Sequence, residues 1–209
     1  TTLFRSTFGA VLSLALGHIR KADLDMRRKR AGHWIEKGRG MGQNREDLMK
    51  LIEANPADAW ALLQLARIRT RYVQKPENEK LFRRVITRYW KQGDRKMAVE
   101  AYLEAFDKYR LVFTSRFQLD LAREMVIHGE WNRAARSLEY LLGKADEIDR
   151  TEREKVLERA YIMAANILAE RLDNPQAAAD FLQAFLRRFP TSNAAGVAAQ
   201  KLQAWGIAK

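Results

Sequence analysis

The chain contains no cysteine. Disulfides, thiolate metal sites and a cysteine nucleophile are thereby excluded. Its 209 residues include only four prolines and eleven glycines, too few to interrupt a succession of long helices. Alternating runs rich in Val, Ile and Thr, the mark of β-strands, are missing from Lys21 onward. The three histidines, His18, His33 and His128, are scattered, with no HxxxH pair or carboxylate constellation around them. Asp146, Glu147, Asp149, Glu152 and Glu154 crowd one short stretch, which reads as a charged surface connection rather than an acid–base pair. These scarcities predict an all-α chain with no catalytic residues, no cofactor and no metal site of its own.

Positive charge is abundant. The formal net charge is +12, and it is unevenly placed. Residues 20–50 carry a net +5 and residues 67–96 a net +8, whereas residues 97–209 hold sixteen basic and sixteen acidic side chains. An apolar content of 47% excludes disorder throughout. A basic excess in the first half fits either nucleic acid or a segment lying against anionic lipid headgroups.

The chain opens TTLFRS, which reads as the translated end of a sequencing adapter. Residues 1–6 are therefore expected to carry no fold information, and the rest to be a fragment of a longer parent. Thr7 to His18, TFGAVLSLALGH, holds no charged residue, and Arg20, Lys21, Arg27, Arg28, Lys29 and Arg30 follow. A spanning helix needs about 20 apolar residues, and about half that number is present. Lys and Arg directly after such a helix mark its cytoplasmic end. Residues 7–19 thus read as the end of a truncated transmembrane helix, with the six cations as a collar at the membrane surface. Residues 20–43 read as a basic juxtamembrane helix and a linker, 33–43, in which Gly38, Gly40 and Gly42 alternate. A short buried helix of a soluble domain is the alternative. Gly9 and Gly17 in FGAVLSLALG, followed by the basic stretch, resemble the end of the last core helix of bacterial rhomboid intramembrane proteases. That resemblance implies a parent serine protease whose catalytic helices lie upstream, with this chain as its regulatory tail. Ser13 and His18 match neither of the family's catalytic motifs.

Four later stretches share a spacing. Gly93-Asp94 leads to Ala98, Tyr102 and Ala105; Gly129-Glu130 leads to Ala134, Leu138 and Leu141; Asp173-Asn174 leads to Ala178, Leu182, Phe185 and Pro190. A poorer copy is Asn44, Leu48, Leu51 and Pro56. Each puts a small residue and then large apolar ones on one helix face. The pattern resembles the second helix of the tetratricopeptide repeat. Its glycine permits a left-handed turn, its alanine lets paired helices approach, and its proline stops the helix. The resemblance implies antiparallel helical hairpins stacked as a tetratricopeptide-like solenoid over 44–209, with an irregular helical bundle as the competing architecture. The departures are an additional helix between the first two copies, Ile86 at a small-residue position, and Asp173 in place of the turn glycine. Helices are expected over 58–72 and 77–91, broken at Lys75-Pro76, and over 152–171. Trp60, Leu63, Leu65, Phe82, Tyr89, Tyr102, Phe106, Leu121, Met125, Leu138, Leu141, Ile162, Leu182, Phe185, Leu202 and Trp205 are the expected core, with Trp205 as a terminal cap. Thr191-Ser192 reads as a helix N-cap.

Stacked hairpins present a concave groove lined by the first helix of each pair. In that register Arg83, Thr87, Trp90, Lys91, Arg116 and Arg123 face it, joined by Arg67 and Arg71. A basic groove suits an acidic peptide or a carboxyl terminus, because guanidinium forks match carboxylates. The leading expectation is a protein-interaction module, membrane-tethered with its repeats in the cytoplasm. The alternatives are the protease tail and, last, nucleic-acid binding through 67–96.

Overall fold

The computed structural model describes residues 2–36, 41–70 and 75–207, and every regular element among them is helical. In chain order these are α1 (Thr2–Glu36), α2 (Met41–Ala54), α3 (Ala59–Arg69), α4 (Lys75–Lys91), α5 (Arg95–Tyr109), α6 (Arg116–Ile127), α7 (Trp131–Gly143), α8 (Arg153–Arg171), α9 (Pro175–Arg188) and α10 (Ala195–Ala204), with one 3-10 turn at Ala145–Glu147. The chain divides into two compact units, Thr1–Gln92 and Gly93–Lys209.

Within the first unit α1 packs on α2, α2 on α3 and α3 on α4. Asp58 starts α3 by accepting a hydrogen bond from the Ala61 N–H at 3.0 Å, which satisfies one of the orphan donors of the first turn. The buried Asn78 amide closes the α3–α4 corner, donating to the Ala66 carbonyl at 3.1 Å and to Thr70 Oγ1 at 2.9 Å. Leu48, Leu51, Leu62, Leu63, Phe82 and Ile86 fill the space between these helices. Lys75 and Pro76 already belong to α4, so the expected break does not fall at them; residues 71–74 lie outside the described residues. Proline is tolerated in a first helical turn because its missing N–H would have no partner there.

The Gly93–Lys209 unit pairs α5 with α6, α6 with α7, α7 with α8, α8 with α9 and α9 with α10, and α6 also meets α8. This is the sequential, neighbour-to-neighbour packing of a solenoid. The shared spacing is its core: Ala98, Tyr102, Ala105, Ala134, Leu138, Leu141, Ala178, Leu182 and Phe185 are all buried. Gly93 and Gly129 adopt left-handed φ of 81° and 79°, and Asp173, where the repeat has glycine, does so at 48°. Asp94 and Asn174 cap the helices that follow, accepting from the Met97 and Ala177 N–H groups. Gln118 ties three helices together. Its amide donates to the Tyr102 hydroxyl at 2.7 Å and Ser137 Oγ at 3.2 Å, and its carbonyl accepts from the Phe113 N–H at 2.9 Å.

Several expectations are corrected. Trp60, Ile162 and Trp205 are partly buried, not core; Trp205 does pack on the C-terminal cluster of α8, α9 and α10. Ser192 lies two residues before the N-cap position of α10, which Ala194 occupies; its hydroxyl accepts from the Ala194 N–H and donates to Glu158. Residues 33–36 of the expected linker are helical and α2 begins at Met41; Gly38 and Gly40 lie outside the described residues. No helix among the described residues is long and apolar enough to cross a membrane. α1 has the length, but it carries Arg5 and, from Arg20 onward, a dense run of charges.

Candidate binding groove

α8 is apolar on two sides. Val156, Leu157, Ala160, Ala164 and Ala165 are buried against its neighbours. Ile162 and Met163 contribute instead to an open cleft of about 890 Å³ shared with α6, which the buried Ile167 also borders. Val126 and Ile127 of α6 complete its apolar floor, and Ile127 is 73% exposed although hydrophobic. Four arginines line the same cleft: Arg116 and Arg123 from α6, Arg159 and Arg171 from α8. Arg116 and Arg159 also border a smaller hollow of about 270 Å³ with Leu119, Thr151, Glu152, Lys155 and Val156. The two hollows place the N-terminal halves of α6 and α8 together at one end and their C-terminal halves at the other. The helices thus run in the same direction, as the first helices of successive hairpins do.

The charges in this groove are not all alike. Arg123 is paired with Asp120 at 3.1 Å. Glu170 and Asn166 are engaged by Lys201 of α10, whose Nζ lies 3.4 Å from the Glu170 carboxylate and donates to Asn166 Oδ1 at 2.6 Å. Arg116, Arg159 and Arg171 have no ion pair or hydrogen bond among the described residues. Trp131 closes the far end of α6, its indole N–H donating to the Val126 carbonyl at 3.1 Å. Guanidinium groups with free donors beside apolar surface can take a carboxylate in bidentate fashion while the floor accepts side chains. No group of acidic or histidine residues suited to a metal ion occurs among the described residues.

Sequence reasoning placed Arg116 and Arg123 here and missed Arg159 and Arg171. The signal was available in part: Arg159, Met163, Asn166 and Glu170 recur at helical spacing on one face of the unusually long α8, with Arg171 at the edge of that face. The remaining expected groove residues belong to the first unit. Arg67 and Lys91 are exposed, and Arg83, Thr87 and Trp90 are half-buried along the flank of the α4 stripe Phe82, Val85, Ile86 and Tyr89. Arg71 lies outside the described residues.

The six-residue collar divides in two. Arg27 donates to Asp47 at 3.0 Å and to Asp23 at 2.8 Å, and Arg30 holds Asp47 by two bonds. Both guanidinium groups are raised above their ordinary value by these hydrogen bonds. Arg28 reaches Asp58 at 3.1 Å, with its guanidinium 5.0 Å from the Trp60 ring centroid. These three spend their charge inside the unit. Arg20, Lys21 and Lys29 are exposed, next to three exposed hydrophobics, Leu16, Ile19 and Met26.

No family model matches the chain, and no curated protein matches it. Among solved structures the chain is similar to a crystal structure of MamA protein, with 13% sequence identity and a TM-score of 0.36 over 80% of this chain and 92% of that one.

Proposed function

We propose that the chain is a protein-interaction module of tetratricopeptide-like helical hairpins, and that it grips an acidic segment of its partner in the α6–α8 groove. The observation that carries this reading is the set of three arginines, Arg116, Arg159 and Arg171, without an ion pair or hydrogen bond among the described residues and above an apolar floor. A cation in water loses little by standing alone. Brought against a carboxylate over a surface that excludes water, it gains a charge-assisted hydrogen bond. Stacked hairpins supply the rigid wall that such recognition needs.

The test compares the chain with a variant reversed at all three positions (R116E, R159E, R171E). A partner captured from cell extract at about 0.1 M salt is expected to be lost with the variant and released as salt rises and the Debye length falls from about 10 Å. Cross-links from Lys155, at the edge of the groove, are expected to reach that partner. A partner held equally by the reversed chain would place the binding surface elsewhere.

A second reading concerns location. The exposed Leu16, Ile19 and Met26, beside the exposed Arg20, Lys21 and Lys29, support α1 as an anchor at an anionic membrane surface, with the hairpins on the cytoplasmic side. The protease-tail reading rests on Gly9 and Gly17 in FGAVLSLALG and on the basic stretch after them.

A further inference from the structure

We infer that the partner segment in the α6–α8 groove is an amphipathic helix of about three turns with acidic residues at both ends. This inference rests on the groove reading above and specifies its ligand. Arg159 and Arg171 are separated by twelve positions on α8, which is about 18 Å along a helix. Between them the floor is Ile162, Met163 and Ile167 from α8 with Val126 from α6. Arg159 marks one end of this strip and Arg171 the other, where Lys201 of α10 answers the neighbouring Glu170, so both ends keep a net positive charge. The matching ligand is apolar in the middle and negative at each end.

The floor decides the ligand's backbone. An extended peptide presents an N–H and a C=O at every residue, and those facing the groove need partners. The groove walls are helices, and along their interior turns the backbone groups are already paired within each helix. Asn166, the one amide side chain lining the cleft, has its oxygen taken by Lys201. A strand laid here would leave backbone groups against Ile and Met without partners, each bearing its full desolvation penalty. A helix satisfies its backbone internally and shows the floor only side chains, at i, i+3, i+4 and i+7. At 1.5 Å per residue, about 12 residues span the two arginines.

Randomised 16-residue peptides displayed on phage, selected on the full chain, test this. The enriched peptides are expected to carry apolar residues at helical spacing with Asp or Glu at both ends. Made as free peptides, they gain helicity by circular dichroism on binding, and a central proline weakens them at least tenfold. Arg159→Glu and Arg171→Glu each weaken them about tenfold, with the far-ultraviolet spectrum of the chain unchanged. Enriched peptides that tolerate a central proline but still need both arginines would overturn the helix and leave the groove reading standing. Binding indifferent to both reversals, or no enrichment, would remove both. Displacement of the peptides by a 16-nucleotide single-stranded DNA below the peptides' own Kd would assign the groove to nucleic acid and end the proposal.

Discussion

Arg30 holds the buried carboxylate of Asp47 at two points, Nε to Oδ2 at 2.7 Å and Nη2 to Oδ1 at 2.6 Å. Arg27 adds a third bond at 3.0 Å. An ionised carboxylate removed from water is stable only when its lone pairs are met this way. The contact docks α1 on α2. Asp47→Asn keeps the shape but turns two donor hydrogens toward the arginines. The expected loss is about 1.5–3 kcal/mol, the range for hydrogen bonds to charged groups, read from urea unfolding followed by circular dichroism. Arg30→Ala is expected to cost less, because Arg27 still answers Asp47. An equal loss in both variants would mean that Arg27 contributes nothing.

The same pair sets a pH dependence. The Arg30 hydrogen bonds, ahead of every other influence, hold the Asp47 carboxyl below the usual carboxylate range, against the opposing effect of burial. A group whose folded pKa is depressed contributes stability that is fully present above its unfolded pKa, about 3.9. That contribution is lost as pH falls through the folded pKa. The stability gap between the native chain and Asp47→Asn is therefore expected to be constant from about pH 5 to 8 and to shrink below about pH 4. A gap that stayed flat down to pH 2 would show that Asp47 carries no such linkage.

The turns make a paired prediction. Gly129 has φ of 79°, and a Cβ there would meet no atom within 4 Å, so Gly129→Ala costs only backbone strain, about 1–2 kcal/mol. Asp173 sits at φ 48° with a Cβ already in place. Asp173→Gly relieves that strain and gives back part of the gain through a freer unfolded chain. Thermal unfolding is expected to show a lower Tm for Gly129→Ala and an unchanged or higher one for Asp173→Gly. A fall in both would point to a role for the Asp173 side chain beyond the turn.

Those turns were legible because the code is local. A small residue followed by apolar ones four and seven positions on sets a stripe, and Ala134, Leu138 and Leu141 are buried as that spacing requires. Gln118 was not legible. Its burial is tolerable only because Tyr102, Ser137 and the Phe113 N–H converge on it from different elements, and no pattern within α6 announces that. Trp60 read as core by size alone, but it lies partly open beneath the guanidinium of Arg28. Arg159 and Arg171, unlike Arg116 and Arg123, were hidden by averaging. Residues 97–209 are neutral as a whole, while their acids collect elsewhere, as at Asp146, Glu147 and Asp149 around the 3-10 turn. Folding separates the signs; composition adds them together.

The divided collar makes the anchor reading testable without unfolding the protein. Arg20, Lys21 and Lys29 are exposed and are expected to act on a lipid surface, whereas Arg27, Arg28 and Arg30 answer Asp47 and Asp58. Each basic residue near an anionic surface is worth about 1 kcal/mol, so the exposed three together account for roughly a hundredfold in partitioning. Flotation of the full chain with vesicles containing about 30% phosphatidylserine is expected to fall by at least that factor in the R20E, K21E, K29E variant, because reversal adds repulsion to the lost attraction, with its unfolding curve unchanged. Raising salt to about 0.5 M weakens the native chain's flotation toward the variant's, since the field is screened within a Debye length. Reversing Arg27, Arg28 and Arg30 instead is expected to lower stability, because Asp47 and Asp58 lose their donors and face new carboxylates. Equal flotation of the native and R20E, K21E, K29E chains would leave the exposed cations without a lipid role, and the apolar Leu16, Ile19 and Met26 face would then need a protein to cover it.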